Sequence, residues 1–354
     1  MTHSEFTGEA MKAFREANTF GQEEFALWLN EQIGRKYDRN RISRWENGNE
    51  SIPANVKLFL LDKASIAPRG TSIPAPVLIR TDGDKARAAT KLAVVNQKGG
   101  VGKTTCTVNL GYLLASKGLR VLVVDADAQA NATAYLGADG YALDQEERTL
   151  YHVILKDKPT ADSIIRVCDG LFGLLPSSLR LSQADAELAA DPNSNLLLRE
   201  KLNEVEGEYD IIIIDCPPNL GHVTINALNC SDYVLVPVQT EPMAALGIPM
   251  LHDTLSKVKR RVNPKVEILG ILPTMFAASH SVDQVVLGQI KELWGDRARI
   301  FTPIPSSTLY PQSSYAGQPT LMGEPKAAGA GSYHEVSDAL IALMNEQRQG
   351  AANV

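Results

Sequence analysis

The stretch NQKGGVGKTT, residues 96–105, decides how the rest of the chain is read. Glycine at 99, 100 and 102 lets the backbone curl and turn its N–H groups inward. Lys103 and the start of the next helix add positive charge, so the turn forms an anion cradle. Thr104 stands where its hydroxyl can reach Mg²⁺. The usual spelling of such a loop, GxxxxGK(S/T), asks for glycine at 97, where this chain has glutamine. It also has no place for the additional lysine, Lys98. The surroundings nevertheless suit a phosphate site, because an apolar strand ends at Gln97 and an amphipathic helix begins near Lys103.

Outward from the loop, LAVVNQ (92–97), RVLVVD (120–125), DIIIID (210–215), DYVLVPV (232–238) and VEILGIL (266–272) are short, β-branched, nearly continuous apolar runs. Runs of this kind predict parallel strands covered on both faces. Between the first two, Val108, Leu110, Leu113 and Leu114 predict a helix with one buried stripe. Strand, helix and strand in repetition imply a doubly wound, mostly parallel α/β sheet. Tyr333, Val336, Leu340 and Met344 recur at helical spacing, so a last helix should pack back onto that sheet.

Carboxylates stand where such a site needs them. IIIIDCPP ends a buried strand with Asp215, the usual position of a carboxylate that holds the water shell of Mg²⁺. VLVVDADAQAN (121–131) ends another with Asp125 and Asp127. Two acids beside a triphosphate repel it unless a cation or an attacking water requires them.

KGGVGKTT, DADAQAN and IIIIDCPPNL together resemble the ParA/MinD group of P-loop ATPases, whose loop reads KGGxGK(S/T). The resemblance covers roughly residues 92–345 and explains the odd loop. It implies ATP and Mg²⁺ as cofactors, contacted by Lys98, Gly99, Gly100, Val101, Gly102, Lys103, Thr104 and Thr105, with Thr105 on the α-phosphate. It implies that Lys98 reaches across a homodimer interface to the phosphates of the other subunit, with Lys98, Lys103 and Asp127 as the catalytic set. Asp127 would orient or activate the water; Asp125, with Thr104 and Asp215, would lie nearer the metal. Pro273, Thr274 and Met275 are expected near the adenine. Ala128 stands where many relatives have proline and Ala130 where many have glycine.

MinD-type relatives end in an amphipathic membrane helix, whereas this tail reads ALMNEQRQGAANV, so no membrane partner is expected. Iron-protein relatives need cluster-holding cysteines, and Cys106 and Cys216 sit in the wrong motifs. The partition branch is left.

At the front, Phe25, Trp28, Leu29 and Ile33 mark one helical face, and Ile42 and Trp45 another, with Asp38 as N-cap. GQEEFA followed by ISRWENG resembles the Cro/CI-type helix-turn-helix. From 35 to 44, RKYDRNRISR holds five basic residues and one acidic, a net of +4. Arg39, Asn40, Arg41 and Arg44 are able to read base edges or grip phosphates, and the resemblance adds Gln22. Lys257, Lys259, Arg260, Arg261 and Lys265 form a second basic set, where relatives hold DNA nonspecifically. Pro305, Ser306, Ser307 and Thr308 replace an arginine-bearing segment common there.

The 354 residues, 44% hydrophobic with net charge −6, suit one large and one small domain and exclude a protein coated in positive charge. Cys106, Cys168, Cys216 and Cys230 show no metal or disulfide spacing, and no apolar run of membrane length occurs. The expected layout is a helix-turn-helix domain (1–66), a linker rich in proline and glycine (67–91), a P-loop ATPase domain (92–349) and a tail (350–354). The expected function is ATP-dependent DNA segregation in the bacterial cytoplasm, at the nucleoid. A ParB-like partner would stimulate hydrolysis, and the N-terminal domain would repress the protein's own operon. An ATP-responsive repressor of a plasmid or mobile element, with no transport role, is the alternative.

Overall fold

The computed structural model describes residues 8–17, 20–33, 37–50, 52, 53, 56, 60, 78, 88–191, 194–241 and 244–352. The expected linker lies outside them except at 78 and 88–91. The chain divides into two compact units, Met1–Ala75 and Pro76–Val354.

In the first unit, α1 (Gly8–Ala17), α2 (Gln22–Ile33) and α3 (Arg39–Glu46) share one apolar core. Phe25, Leu29, Ile42 and Trp45 are buried in it with Met11, and Trp28 packs from its edge. Asp38 caps α3 as its sequence predicts, its side chain accepting from the Arg41 N–H at 2.9 Å. The buried acid Glu46 closes the unit: it accepts from Arg15 Nε at 2.6 Å and from Gln22 Nε2 at 2.7 Å, tying α1 and α2 to the end of α3.

The second unit is a seven-stranded sheet in the order β3-β4-β2-β5-β1-β6-β7. Its strands are β1 (Thr90–Val94), β2 (Val121–Asp125), β3 (Ile165–Val167), β4 (Phe172–Leu175), β5 (Ile211–Asp215), β6 (Tyr233–Gln239) and β7 (Glu267–Thr274). All neighbours run parallel except β3 and β4. The five predicted strands are all present. β3 and β4 are additions, because segments of three and four residues joined by a tight turn leave too short a pattern to read.

The apolar runs are continuous because alternate residues feed different faces. Ile211 and Ile213 enter one core and Ile212 and Ile214 the other, all wholly buried. Each such side chain contributes about 1.5–3 kcal/mol. β1 begins two residues earlier than the apolar run suggests and ends at Val94, since the polar Thr90 and Lys91 pair with β5. Lys91 is accommodated by its ion pair with Glu206.

The helix after the glycine loop, Lys103–Ser116, is buried nearly all round and not along one stripe. One side meets the sheet so closely that a Cβ on Gly111 would lie 2.9 Å from Val123. Over the same core lies the last helix, Ala330–Ala352, through Tyr333, Val336, Leu340 and Met344. Lys117 fastens the two helices, its Nζ donating to Asp338 at 2.5 Å. The last helix also runs on past residue 349, into the expected tail.

Candidate functional site

The glycine loop follows the carboxyl end of β1. Gly100 (φ 76°) and Gly102 (φ 87°) hold left-handed backbone that a side chain would strain, and Gly102 leads directly into the helix at Lys103. A Cβ at Gly99 or Gly100 would meet nothing within 4 Å, so the mouth of the loop is open. Lys103 folds back over the loop, Nζ to the Lys98 carbonyl at 3.1 Å, with only 7% of its surface exposed. Burial lowers its pKa, against the pull of Asp215 and Asp127.

The three predicted carboxylates converge on this loop because β1, β5 and β2 are neighbours. Val94 and Asp125 both pair in register with Asp215. Asp215 accepts from the Thr104 hydroxyl at 2.7 Å and from the Thr107 hydroxyl at 3.2 Å. Burial, then the neighbouring Asp125, raises its pKa, while Thr104 and Lys103 act to lower it. Asp125 is wholly buried, and burial raises its pKa too. Its Oδ2 accepts from the Thr133 N–H at 2.8 Å and hydroxyl at 2.7 Å, and its Oδ1 from the Asp127 N–H at 3.2 Å. Asp127 is buried, with 8% of its surface exposed, and accepts from the Gln129 N–H at 2.9 Å. Acids packed this closely repel one another, as the effect of Asp125 and Asp127 on Asp215 shows.

This donor set fits Mg²⁺. Among the described residues no group of three or more His, Cys, Asp or Glu is disposed to hold a metal alone. Mg²⁺ keeps several waters and uses one or two carboxylates with substrate phosphates, so a complete protein cage is not required.

A cavity of about 370 Å³ opens beside the loop, lined by Thr105, Cys106, Thr274, Met275, Tyr310 and Tyr333 among others. Two of the three expected adenine contacts line it. Pro273 does not; its carbonyl accepts from the Ile304 N–H at 2.8 Å. The Thr274 hydroxyl holds the Val101 carbonyl at 2.9 Å, joining β7 to the loop. Tyr310 and Tyr333 were not foreseen as site residues. Tyr333 shows in the sequence only as part of a helical stripe, and it is wholly buried here beside Cys106 and Tyr310.

Lys98 is about half exposed at the edge of the loop, its amide N–H donating to Asn96 Oδ1 at 3.0 Å. Its ammonium makes an ion pair with Glu241 of the same chain. The lysine therefore has a partner inside one subunit, which the sequence does not reveal because Glu241 is more than 140 residues away.

Residues 89–268 match a family described as an AAA domain. The sporulation initiation inhibitor protein Soj of Bacillus subtilis is 36% identical over 251 residues, 71% of this chain and 98% of that protein. The chromosome-partitioning ATPase Soj of Thermus thermophilus is 38% identical over 256 residues, 72% of this chain and 97% of that protein. The chain belongs to the ParA/Soj family of partition ATPases. Solved structures share the fold of this ParA-type unit. Cobyrinic acid a,c-diamide synthase from Mycobacterium smegmatis, with bound ATP analog and magnesium, is 34% identical with a TM-score of 0.61, covering 72% of this chain and 94% of that one. A Cyanothece McdA variant in complex with ATP is 27% identical with a TM-score of 0.64, covering 72% and 96%.

The family match does not extend over the N-terminal unit. There, Arg39 and Asn40 are exposed in the first turn of α3. Arg41 and Arg44 both pair with Glu50, at 3.0 and 3.2 Å, and the Arg41 guanidinium lies over the rings of Tyr37 and Trp45. Gln22, expected to face DNA, is half-buried and committed to Glu46. The second basic set lies at the end of the helix Ala244–Arg261 and just beyond it, with Lys259 about 4.0 Å from Glu267. Among the described residues no helix is long and apolar enough to cross a membrane.

Proposed function

We propose that this ParA-type ATPase binds ATP and Mg²⁺ at the glycine loop, closes as a homodimer on DNA, and releases the DNA when a ParB-like partner stimulates hydrolysis. The observation that supports the reading is the convergence of Lys103, Thr104, Asp125, Asp127 and Asp215 at the glycine loop, with Lys98 half exposed at its edge and paired with Glu241. Closure would exchange Glu241 for the phosphates of the partner subunit, so that charge stabilising the departing phosphoryl group arrives only in the dimer.

In this reading Lys103 and the loop N–H groups of Gly99 to Thr105 grip the phosphates, and Thr104 and Asp215 hold the metal. Mg²⁺ held there would supply positive charge to offset that of the phosphates. Asp127 orients the attacking water; Asp125 would lie nearer the metal, and its Oδ1, accepting from the Asp127 N–H, holds the chain segment on which Asp127 stands. The base lies in the cavity beside Thr274 and Met275.

The N-terminal unit is proposed to bind operator DNA through α3, with Arg39 and Asn40 presented directly. DNA phosphates would take Arg41 and Arg44 from Glu50. Lys257, Lys259, Arg260, Arg261 and Lys265 are the proposed nonspecific contacts. Repression of the protein's own operon and residence at the nucleoid follow from these two surfaces.

Two measurements test the whole. Lys98→Ala should still bind ATP but lose the ATP-dependent dimer in sedimentation; an unchanged dimer would overturn the role of Lys98. Hydrolysis should rise when DNA and the product of the adjacent gene are both added. Unaltered turnover would favour a repressor that uses ATP only as an allosteric ligand.

A further inference from the structure

The segment between Asp125 and the short helix Asn131–Tyr135 carries Asp127 and is clamped at both ends. At its start the Ala126 N–H donates to the Asp215 carbonyl at 2.9 Å, and the Asp127 N–H donates to Asp125 Oδ1. At its end stands Thr133, wholly buried. The Thr133 hydroxyl accepts from the Ser177 N–H at 2.9 Å, just beyond β4. An amide can only donate, so the single hydroxyl proton is directed at Asp125 Oδ2, 2.7 Å away. One side chain thus joins β2, β4 and the end of the segment. Within it, Ala130 has φ 52°, a left-handed backbone that costs an L-residue about 1–2 kcal/mol and persists only where the surroundings impose it.

We propose that Thr133 is a positioning residue for hydrolysis, fixing through the Asp125 carboxylate the segment on which Asp127 meets the water. The inference rests on the reading of Asp127 given above. Thr133 touches neither nucleotide nor metal in this scheme, so its loss should spare binding. Displacing a reacting group by about 1 Å can cost on the order of 100-fold in rate.

The test compares Thr133→Val, Thr133→Ser and Asp127→Ala in the full chain, measuring turnover and the affinity for a fluorescent ATP analogue with Mg²⁺. Thr133→Val removes the hydroxyl at constant shape and should lower kcat by about 10- to 100-fold while binding stays within about twofold. Thr133→Ser keeps the hydroxyl and should hold kcat within about threefold. Thr133→Ala answers in the same way if the valine variant does not fold. The inference is overturned if Asp127→Ala stops turnover while Thr133→Val leaves it intact, if serine is as damaging as valine, or if binding falls in step with kcat. Normal turnover in Asp127→Ala instead removes the reading of Asp127 and the inference with it.

Discussion

Charge is handled in opposite ways by the two units. Around α3 every predicted phosphate-gripping arginine whose pairing is described, Arg41 and Arg44, already has a carboxylate in Glu50. At the glycine loop the imbalance is kept: Asp125, Asp127 and Asp215 crowd together, with Lys103 as the basic group acting on them. The first surface is satisfied at rest and must exchange partners to bind. The second concentrates like charge that a bound cation would offset. Exposed ion pairs contribute about 0–1 kcal/mol, so the first exchange is easy. Buried acids without a counter-ion are far more costly, so the second site couples ligand binding to stability.

Asp215→Asn should break this contrast most strongly. Turnover should fall by at least about 100-fold if Asp215 holds the metal as proposed. The nucleotide-free protein should nevertheless melt at a higher temperature than wild type. The folded pKa of Asp215 is raised, so the protonated form is favoured by folding and stability is lost as pH climbs above the unfolded value. The gain in melting temperature should therefore be larger near about pH 8 than near about pH 5. A melting temperature unchanged at both pH values would show that the acids are not in tension.

The N-terminal surface should give smaller effects of opposite sign. Arg41→Ala and Arg44→Ala should each weaken operator binding and reduce the salt slope by about one unit for every phosphate that is no longer neutralised. Glu50→Gln should tighten binding by a few-fold, because DNA then displaces no carboxylate. A fall in ATPase activity in these variants, with DNA binding unchanged, would contradict the assignment of the unit.

Ala130→Gly should be the mildest change, stabilising the fold by about 1 kcal/mol through relief of the left-handed alanine, as read from denaturant unfolding. Destabilisation would show that the methyl group has a packing role outweighing the strain.

Much of the site was legible because its parts are local. Lys103 and Thr104 are fixed by the glycines before them, and Asp125 and Asp215 by the ends of their own apolar runs. What escaped the reading depended on distant chain. Thr133 looks like a helix residue until β4, itself too short to predict, brings the Ser177 amide to it. Lys98 looks free until Glu241 is folded beside it. Gln22 and the arginines of α3 have the side chains for DNA, yet Glu46 and Glu50 decide which of them are available.

By itself, then, the sequence determined the order of chemistry along the chain: a cradle for phosphate, acids at strand ends, and apolar runs long enough only for a covered parallel sheet. Those features arise from spacing within a few residues, where backbone geometry leaves little choice. Only the tertiary structure decided which acids face one another, which cation is engaged and which hydroxyl clamps the segment carrying Asp127. Such pairings depend on the lateral order of the seven strands, and residues as much as 173 positions apart, as in the Thr274–Val101 hydrogen bond, meet at the loop for reasons no local pattern contains.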